Sequence, residues 1–319
     1  MVSRALLKQC KQVVGQWLVG GLFTLLATFT AAGGAEPPPP PPLPLTADAV
    51  VLLNPQNGQL LFAKQPHEHL PPASTTKILT ALVALEKLNL NAKIPVSARA
   101  ANVAPSRIGL QAGDTLYAQD LLYGLLLKSG NDAAETLAEA VGGSIEGFAQ
   151  LMNARAWELG ARDSHFTNPH GLPDHQHYSS AYDLALIFRQ AMNNPLFAEI
   201  VRTHNADLRI ETQNDSAGEW RMVQVHNSNR LLTAYEGTLG GKTGFTRAAK
   251  NCFVGEVSRS GVSLIVAVLG SAGKVAVWRD VKMLLDYGFA QYGLAPPVQV
   301  VNAAPAGKVS APAALQGDE

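Results

Sequence analysis

The chain is poor in cysteine, in net charge and in internal repetition, and each shortage narrows what it can be. Two cysteines, Cys10 and Cys252, stand in 319 residues, and the first lies in a segment that reads as a targeting sequence. No disulfide framework follows from such a count. Twenty-five basic residues offset 25 acidic ones, which leaves no electrostatic ground for binding nucleic acid or an anionic surface. No repeat of 20 to 50 residues is visible, so a solenoid is excluded. What is present is apolar: 47% of the residues, enough for one large core or two small ones.

The first 35 residues read as targeting. Arg4, Lys8 and Lys11 make a basic start, and Gln12 to Ala35 then carry no charge. That pattern is expected of a signal peptide, with Ala31, Ala32, Gly33 and Ala35 as small residues at a cleavage site. The run is also long enough to span a bilayer as an uncleaved inner-membrane anchor. Under either reading the remainder is exported to a periplasmic or other extracytoplasmic space. Glu36 and six prolines, Pro37 to Pro42, follow; such a run favours extended polyproline II and makes residues 36–45 a stiff linker. The expected folded domain covers residues 46–291, and the Ala- and Pro-rich stretch 292–319 is expected to be a disordered tail.

Within the domain, residues 49 to 64 predict a hairpin through Asn54-Pro-Gln-Asn-Gly58. A short strand pair is expected around Gly113-Asp114. Helices are predicted from 74 on, through Leu121 to Leu126, after Asp132 as N-cap, over 144–159 and 180–193, and finally at about 275–291. Strand patterns return only late, in the segments beginning at Lys250 and Val262. Early and late strands around a helical middle predict an α+β fold, an antiparallel sheet built from both chain ends with an inserted helical lobe. A site is expected in the cleft between them.

Residues 71 to 86 carry the strongest chemical signal. Two prolines end what precedes, Ser74 stands where an N-cap belongs, and Ile78, Leu79, Leu82 and Val83 supply an apolar stripe. Lys77 lies one turn on, on the same face, within reach of the Ser74 hydroxyl. A lysine in a first turn opposes the helix dipole, which points to a role. Serine becomes a nucleophile when an adjacent base takes its proton, and a lysine is such a base only when neutral. Lowering its pKa to near 7 takes roughly three units, about 4 kcal/mol, for which burial and a second cation are the available causes.

Ser-x-x-Lys alone is weak, and it recurs at Ser271-Ala-Gly-Lys274. Two further motifs follow in order: Ser129-Gly130-Asn131 in a turn between helices, and Lys242-Thr243-Gly244 before a strand hairpin. Together they match the motif set of penicillin-binding proteins and serine β-lactamases. With Phe166-Thr-Asn-Pro-His-Gly-Leu172, Tyr178-Ser-Ser-Ala-Tyr-Asp183, Gly241-Lys-Thr-Gly-Phe-Thr246 and Leu284-Leu-Asp-Tyr-Gly-Phe289, the chain over residues 47 to 291 closely resembles the low-molecular-mass penicillin-binding proteins that are serine D-alanyl-D-alanine carboxypeptidases.

The resemblance implies that Ser74 attacks the carbonyl between two terminal D-alanines, that Lys77 takes its proton and that Ser129 relays one to the leaving amine. It implies that Asn131 orients the substrate's peptide group, that Lys242 lowers the Lys77 pKa and attracts the substrate carboxylate, and that Thr243 hydrogen-bonds it. Gly244 would let the strand approach an extended substrate, and the backbone N–H groups of Ser74 and Phe245 would form the oxyanion hole. The implied partners are peptidoglycan stem peptides, with β-lactams as covalent inhibitors, a role in cell-wall biogenesis and cell shape, and no cofactor or metal. A DD-endopeptidase acting on cross-links is the alternative. A β-lactamase needs a deacylating glutamate, and no Glu-x-x-Asn segment lies between Asn131 and Lys242. A silent penicillin-binding sensor would usually lack a catalytic residue.

Two rival readings fail on the residues. Gly237 to Thr243 looks like a phosphate loop, but position 236 is Glu where that motif needs Gly. His165, His170, His175 and His177 lie on a predicted loop without a His-Glu-x-x-His helix, and are expected to be loop histidines rather than zinc ligands. Of these, His170 is expected at the border of the cleft without a catalytic role.

Overall fold

Ala49–Leu53 (β1) is buried at every residue, as an apolar run must be when both faces of its strand are covered. The computed structural model describes residues 43–212 and 219–297; the targeting segment, the proline run and the tail from 298 on lie outside the described residues. β1 turns into Leu60–Lys64 (β2) as the expected hairpin and pairs on its other side with a strand more than 200 residues later.

Between them the chain builds its helical part: Lys77–Lys87 (α1), the short strand Lys93–Pro95 (β3), Ala98–Asn102 (α2), the strand Thr115–Tyr117 (β4), then Ala118–Leu126 (α3), Asn131–Gly142 (α4), Ile145–Glu158 (α5), Ala181–Met192 (α6) and Pro195–Arg202 (α7). Two strands follow, Asn205–Glu211 (β5) and Trp220–His226 (β6), then Leu231–Ala234 (α8), Thr238–Thr246 (β7), Lys250–Arg259 (β8), Val262–Ser271 (β9) and Ala276–Ala290 (α9). The main antiparallel sheet runs β2-β1-β9-β8-β7. It joins both ends of the domain, as the sequence predicts, and leaves β7 on an edge.

The period of two in a strand sorts the core into two layers. Val51, Leu53, Val254, Ile265, Ala267 and Leu269 face the helical lobe and its buried α1. Val50, Leu52, Phe253, Val266 and Val268 face α9 through Val277, Val281, Leu284, Leu285 and Phe289. Leu43 and Leu45 also pack on this second layer, so the packed region extends at least three residues before the boundary drawn at 46. Asp280, fully buried in α9, accepts the Thr46 backbone N–H at 3.2 Å, the Thr46 hydroxyl at 2.6 Å and the Ser271 hydroxyl at 2.9 Å. That single carboxylate ties the entry of β1 to the end of β9.

Several local expectations are corrected. No strand pair forms around Gly113-Asp114; β4 pairs instead with β3 and, through Thr115, with Glu211 of β5. Strands do not return only late, because β5 and β6 close a second sheet of order β3-β4-β5-β6. Their alternation is diluted by charge, with Leu208, Ile210 and Val225 the apolar residues they fully bury, and so carried little signal. Asp132 does not cap α4: Gly130 is the cap residue. The Asp132 carboxylate accepts instead the backbone N–H groups of Ile108, Gly109 and Leu110 at 2.9 to 3.1 Å, fixing a loop that borders the cleft.

Candidate active site

Ser74 does not open an α-helix as its N-cap. It sits inside one tight turn, Ala73–Thr76, of 3-10 type, that feeds directly into α1, with no side-chain cap. The turn is held by the Thr75 hydroxyl, which donates to the Pro72 carbonyl at 2.7 Å. It is also held by the Thr76 hydroxyl, 2.9 Å from His177 Nε2. His177 Nδ1 accepts the Thr167 N–H at 3.1 Å, so its proton is on Nε2. Burial holds this imidazole neutral, with its pKa pushed down to about 3. The consequence for Ser74 is that its hydroxyl is free of capping duty and lines the cleft.

Lys77 is fully buried. Its Nζ lies 3.1 Å from Ser74 Oγ, 2.7 Å from Asn131 Oδ1 and 2.8 Å from the His170 carbonyl oxygen. Counting protons decides what this geometry can do. A neutral amine has two N–H groups and one lone pair; the two N–H groups serve Asn131 and His170, neither of which can donate at those atoms. The lone pair is then left for the Ser74 O–H. Burial holds the Lys77 pKa well below its ordinary value, the Lys242 charge lowers it further, and the Asp132 carboxylate works weakly against both. The sequence brought Ser74, Lys77 and Asn131 to this point. It missed the His170 carbonyl, because a backbone acceptor leaves no residue-type signature.

Behind that carbonyl is a buried arrangement the sequence did not reveal. His170 Nδ1 accepts the Leu172 N–H at 3.2 Å, and Nε2 faces Glu135 Oε1 at 3.3 Å. The other Glu135 oxygen takes Arg99 Nε at 3.3 Å. Burial lowers the His170 pKa against the pull of Glu135. Gly171 is required beside it: its φ is +83°, and a Cβ there would stand 1.8 Å from the Ala73 carbonyl oxygen. The four histidines of the predicted loop therefore divide, with His170 and His177 buried in structural bonds and the other two outside this network. Among the described residues no His/Cys/Asp/Glu group has metal-site geometry.

Ser129 turns the chain between α3 and α4 in the left-handed region, φ 65°, a conformation that costs a non-glycine residue on the order of 1 kcal/mol or more. Its Oγ is buried without a hydrogen-bond partner among the described residues and belongs to a cleft-lining residue opposite β7. Asn131 is tied at both ends, Oδ1 to Lys77 and Nδ2 to the Ala104 carbonyl at 2.7 Å. The second N–H of that amide has no partner among the described residues.

On β7 the three motif residues separate by strand alternation. Lys242 is 1% exposed, and its Nζ donates to the Thr243 carbonyl at 2.9 Å. Burial pushes its pKa down to about 7. It acts on Lys77 from inside the protein and is absent from the cleft lining. Thr243 Oγ1 reaches the cleft and lies 2.6 Å from Ser228 Oγ. Gly244 faces the Ser74 turn, where a Cβ would stand 3.0 Å from Ser74 N and Pro72 O. The close approach that needs glycine is thus to the nucleophile's own backbone. Phe245 is 56% exposed at the cleft. The cleft has a volume of about 680 Å³.

The chain is similar to known proteins in sequence and in fold. A model of the family described as D-alanyl-D-alanine carboxypeptidase matches residues 35–273. D-alanyl-D-alanine carboxypeptidase DacB2 of Mycobacterium tuberculosis is 40% identical over 249 residues, covering 76% of this chain and 82% of the relative. DacF of Bacillus subtilis is 32% identical over 293 residues, covering 90% and 73%. The crystal structure of the Streptomyces K15 DD-transpeptidase superposes with a TM-score of 0.75 at 33% identity, covering 78% of this chain and 98% of that one.

Proposed function

Since the chain belongs to the D-alanyl-D-alanine carboxypeptidase family, we propose that Ser74 is the nucleophile of its acyl-transfer chemistry, with Lys77 as base. The protein is a serine DD-carboxypeptidase of the penicillin-binding fold, removing the terminal D-alanine from peptidoglycan stem peptides. The observation that carries the residue assignment is the saturation of the Lys77 amine by Asn131 and His170, with its remaining position aimed at Ser74 Oγ at 3.1 Å.

The steps follow from the geometry. Lys77 takes the Ser74 proton as Oγ attacks the carbonyl of the penultimate D-alanine. The developing oxyanion meets the N–H groups of Ser74 and Phe245, the glycine at 244 letting β7 lie close against the Ser74 turn; each such donor is typically worth about 100-fold or more. The C–N bond breaks, the amine leaves with a proton relayed through Ser129, and water splits the ester to return the serine. A β-lactam forms the same ester, but its amine stays tethered. Asn131 offers its free N–H to the substrate's peptide group. Thr243, braced by Ser228, takes the terminal carboxylate, while Lys242 keeps Lys77 neutral.

The basic, then uncharged start of the chain supports export to the cell-wall side of the membrane, through a cleaved signal peptide or a retained anchor. Cell-wall maturation and cell shape are the processes this activity would serve there. The balanced charge gives no support for a nucleic-acid partner. The test is mass measurement after a labelled penicillin: one adduct on the peptide containing Ser74, absent in Ser74→Ala. A label on Ser129 or Ser271 would overturn the assignment.

A further inference from the structure

The edge strands of the two sheets are β2, β7, β3 and β6, and an edge exposes a row of N–H and C=O groups that another strand can take up. Three of them are accounted for. β3 is three residues long and carries Lys93 and Pro95, β2 has a slipped register on β1 and a lysine at its end, and β7 borders the cleft. β6 has none of these protections. It pairs with β5 in unbroken register over all seven of its residues, Trp220 to His226, without proline, bulge or lysine.

Register decides which backbone groups of β6 are free. The Thr212 N–H donates to the Glu219 carbonyl at 3.1 Å and the Asn227 N–H to the His204 carbonyl at 2.8 Å, so the odd-numbered residues of β6 bond to β5 and the even-numbered ones point their N–H and C=O groups away from the sheet. Those outward residues are Trp220, Met222, Gln224 and His226. Met222 is 62% exposed, Gln224 and His226 are exposed as well, and among the described residues the main-chain groups of the four have no hydrogen-bond partner. None of them carries a charge when His226 is neutral. The one permanent charge of β6, on Arg221, is occupied inward, where it donates to the Gly109 carbonyl at 2.9 Å and pairs with Asp114.

We propose that β6 is the interface of a two-fold dimer, in which two copies of this chain pair the strand antiparallel with itself and join their second sheets into one. The strand is complementary to its own copy, as such an axis requires. Only one register uses all four outward residues: with the axis through Val223, Trp220 faces His226 of the partner subunit and Met222 faces Gln224 of the partner subunit, each facing pair exchanging two hydrogen bonds. On the other face Arg221 meets Val225 of the partner subunit. No ion then stands opposite one of its own sign, and the chain has no net charge at pH 7 to hold copies apart. No residue of β5 or β6 lines the cleft, so pairing leaves it open.

The test uses the purified full chain, whose sedimentation over a range of concentrations should show a monomer–dimer equilibrium. Gln224→Pro removes one outward N–H from each copy and spares the bonds to β5, since proline is tolerated on an edge whose N–H faces solvent. It should weaken the dimer by about tenfold or more, and Gln224→Ala, which keeps the N–H, by no more than a fewfold. Disulfides read the register. Facing residues lie about 5.5 Å apart at Cα, within bonding range, and diagonal ones about 7–8 Å, outside it. Diamide should therefore join Met222→Cys to Gln224→Cys in a mixture and neither variant to itself, with peptide mapping to separate any bond made by Cys10. Thermal unfolding and labelled-penicillin acylation should match wild type in every variant, which checks that each is folded. A wild-type chain that stays monomeric, which would leave this edge to a strand of another protein, overturns the dimer. So does self-association that Gln224→Pro leaves unchanged, or absence of the mixed disulfide.

Discussion

Gly244→Ala should disable acylation while leaving the fold largely in place. A Cβ at this position would stand 3.0 Å from the Pro72 carbonyl oxygen and Ser74 N, and 3.1 Å from Thr75 N. All three are backbone atoms. One side is pinned by the Thr75 bond to Pro72 and the Thr76 contact to His177, the other by the register of β7 on β8. Restoring ordinary contact near 3.4 Å needs about 0.4 Å of separation (3.4 − 3.0) between strand and turn. Overpacking of this kind typically costs about 1–3 kcal/mol, most of which the edge strand can release by moving outward. That movement pulls the Phe245 N–H away from the Ser74 N–H. Loss of one oxyanion donor is worth roughly 100- to 1,000-fold in rate. The assay is the second-order rate of labelled-penicillin acylation beside thermal unfolding, with Gly273→Ala as control, since a Cβ there meets nothing within 4 Å. Acylation within a fewfold of wild type would refute the claim that strand and turn must lie this close.

Lys77→Arg should fold but fail to acylate, because arginine does not deprotonate in proteins; intact-mass detection of the adduct checks it. Lys242→Gln should move the acid limb of the acylation pH profile upward. The active form is neutral Lys77, its pKa is lowered by burial and then by Lys242, and removing that charge raises it, so activity sets in at higher pH; an unmoved limb would show that burial alone sets the pKa. Asp280→Ala should cost about 2 kcal/mol in denaturant unfolding, because it removes the acceptor of the Thr46 N–H and leaves the Thr46 and Ser271 hydroxyls, 3.1 Å apart, only each other, with penicillin acylation of the folded fraction unchanged. Glu135→Ala, which removes the acceptor shared by His170 and Arg99, should slow acylation several-fold through the His170 carbonyl, and Glu135→Gln should restore much of the rate.

The amino-acid sequence determined the class of fold and the identity of the reactive groups. Hairpin and late-strand patterns at the two chain ends can pair only in one antiparallel sheet, and the motif serines and lysines advertise themselves by residue type and spacing. Local pattern was weaker where burial is shallow. β5 and β6, with charges between few buried apolar residues, carry little strand signal, and Asp132 reads as a cap because a carboxylate near a helix start usually is one. Tertiary structure alone decided the protonation state of the base, since that depends on acceptors 54 and 93 positions away, Asn131 Oδ1 and a backbone carbonyl at His170. It alone turned Lys242 inward and Thr243 outward at consecutive positions of β7, assigning one to the base and the other to the substrate. The physical reason is that both outcomes are set by which groups surround a side chain in space, and a sequence specifies the side chain without its neighbours.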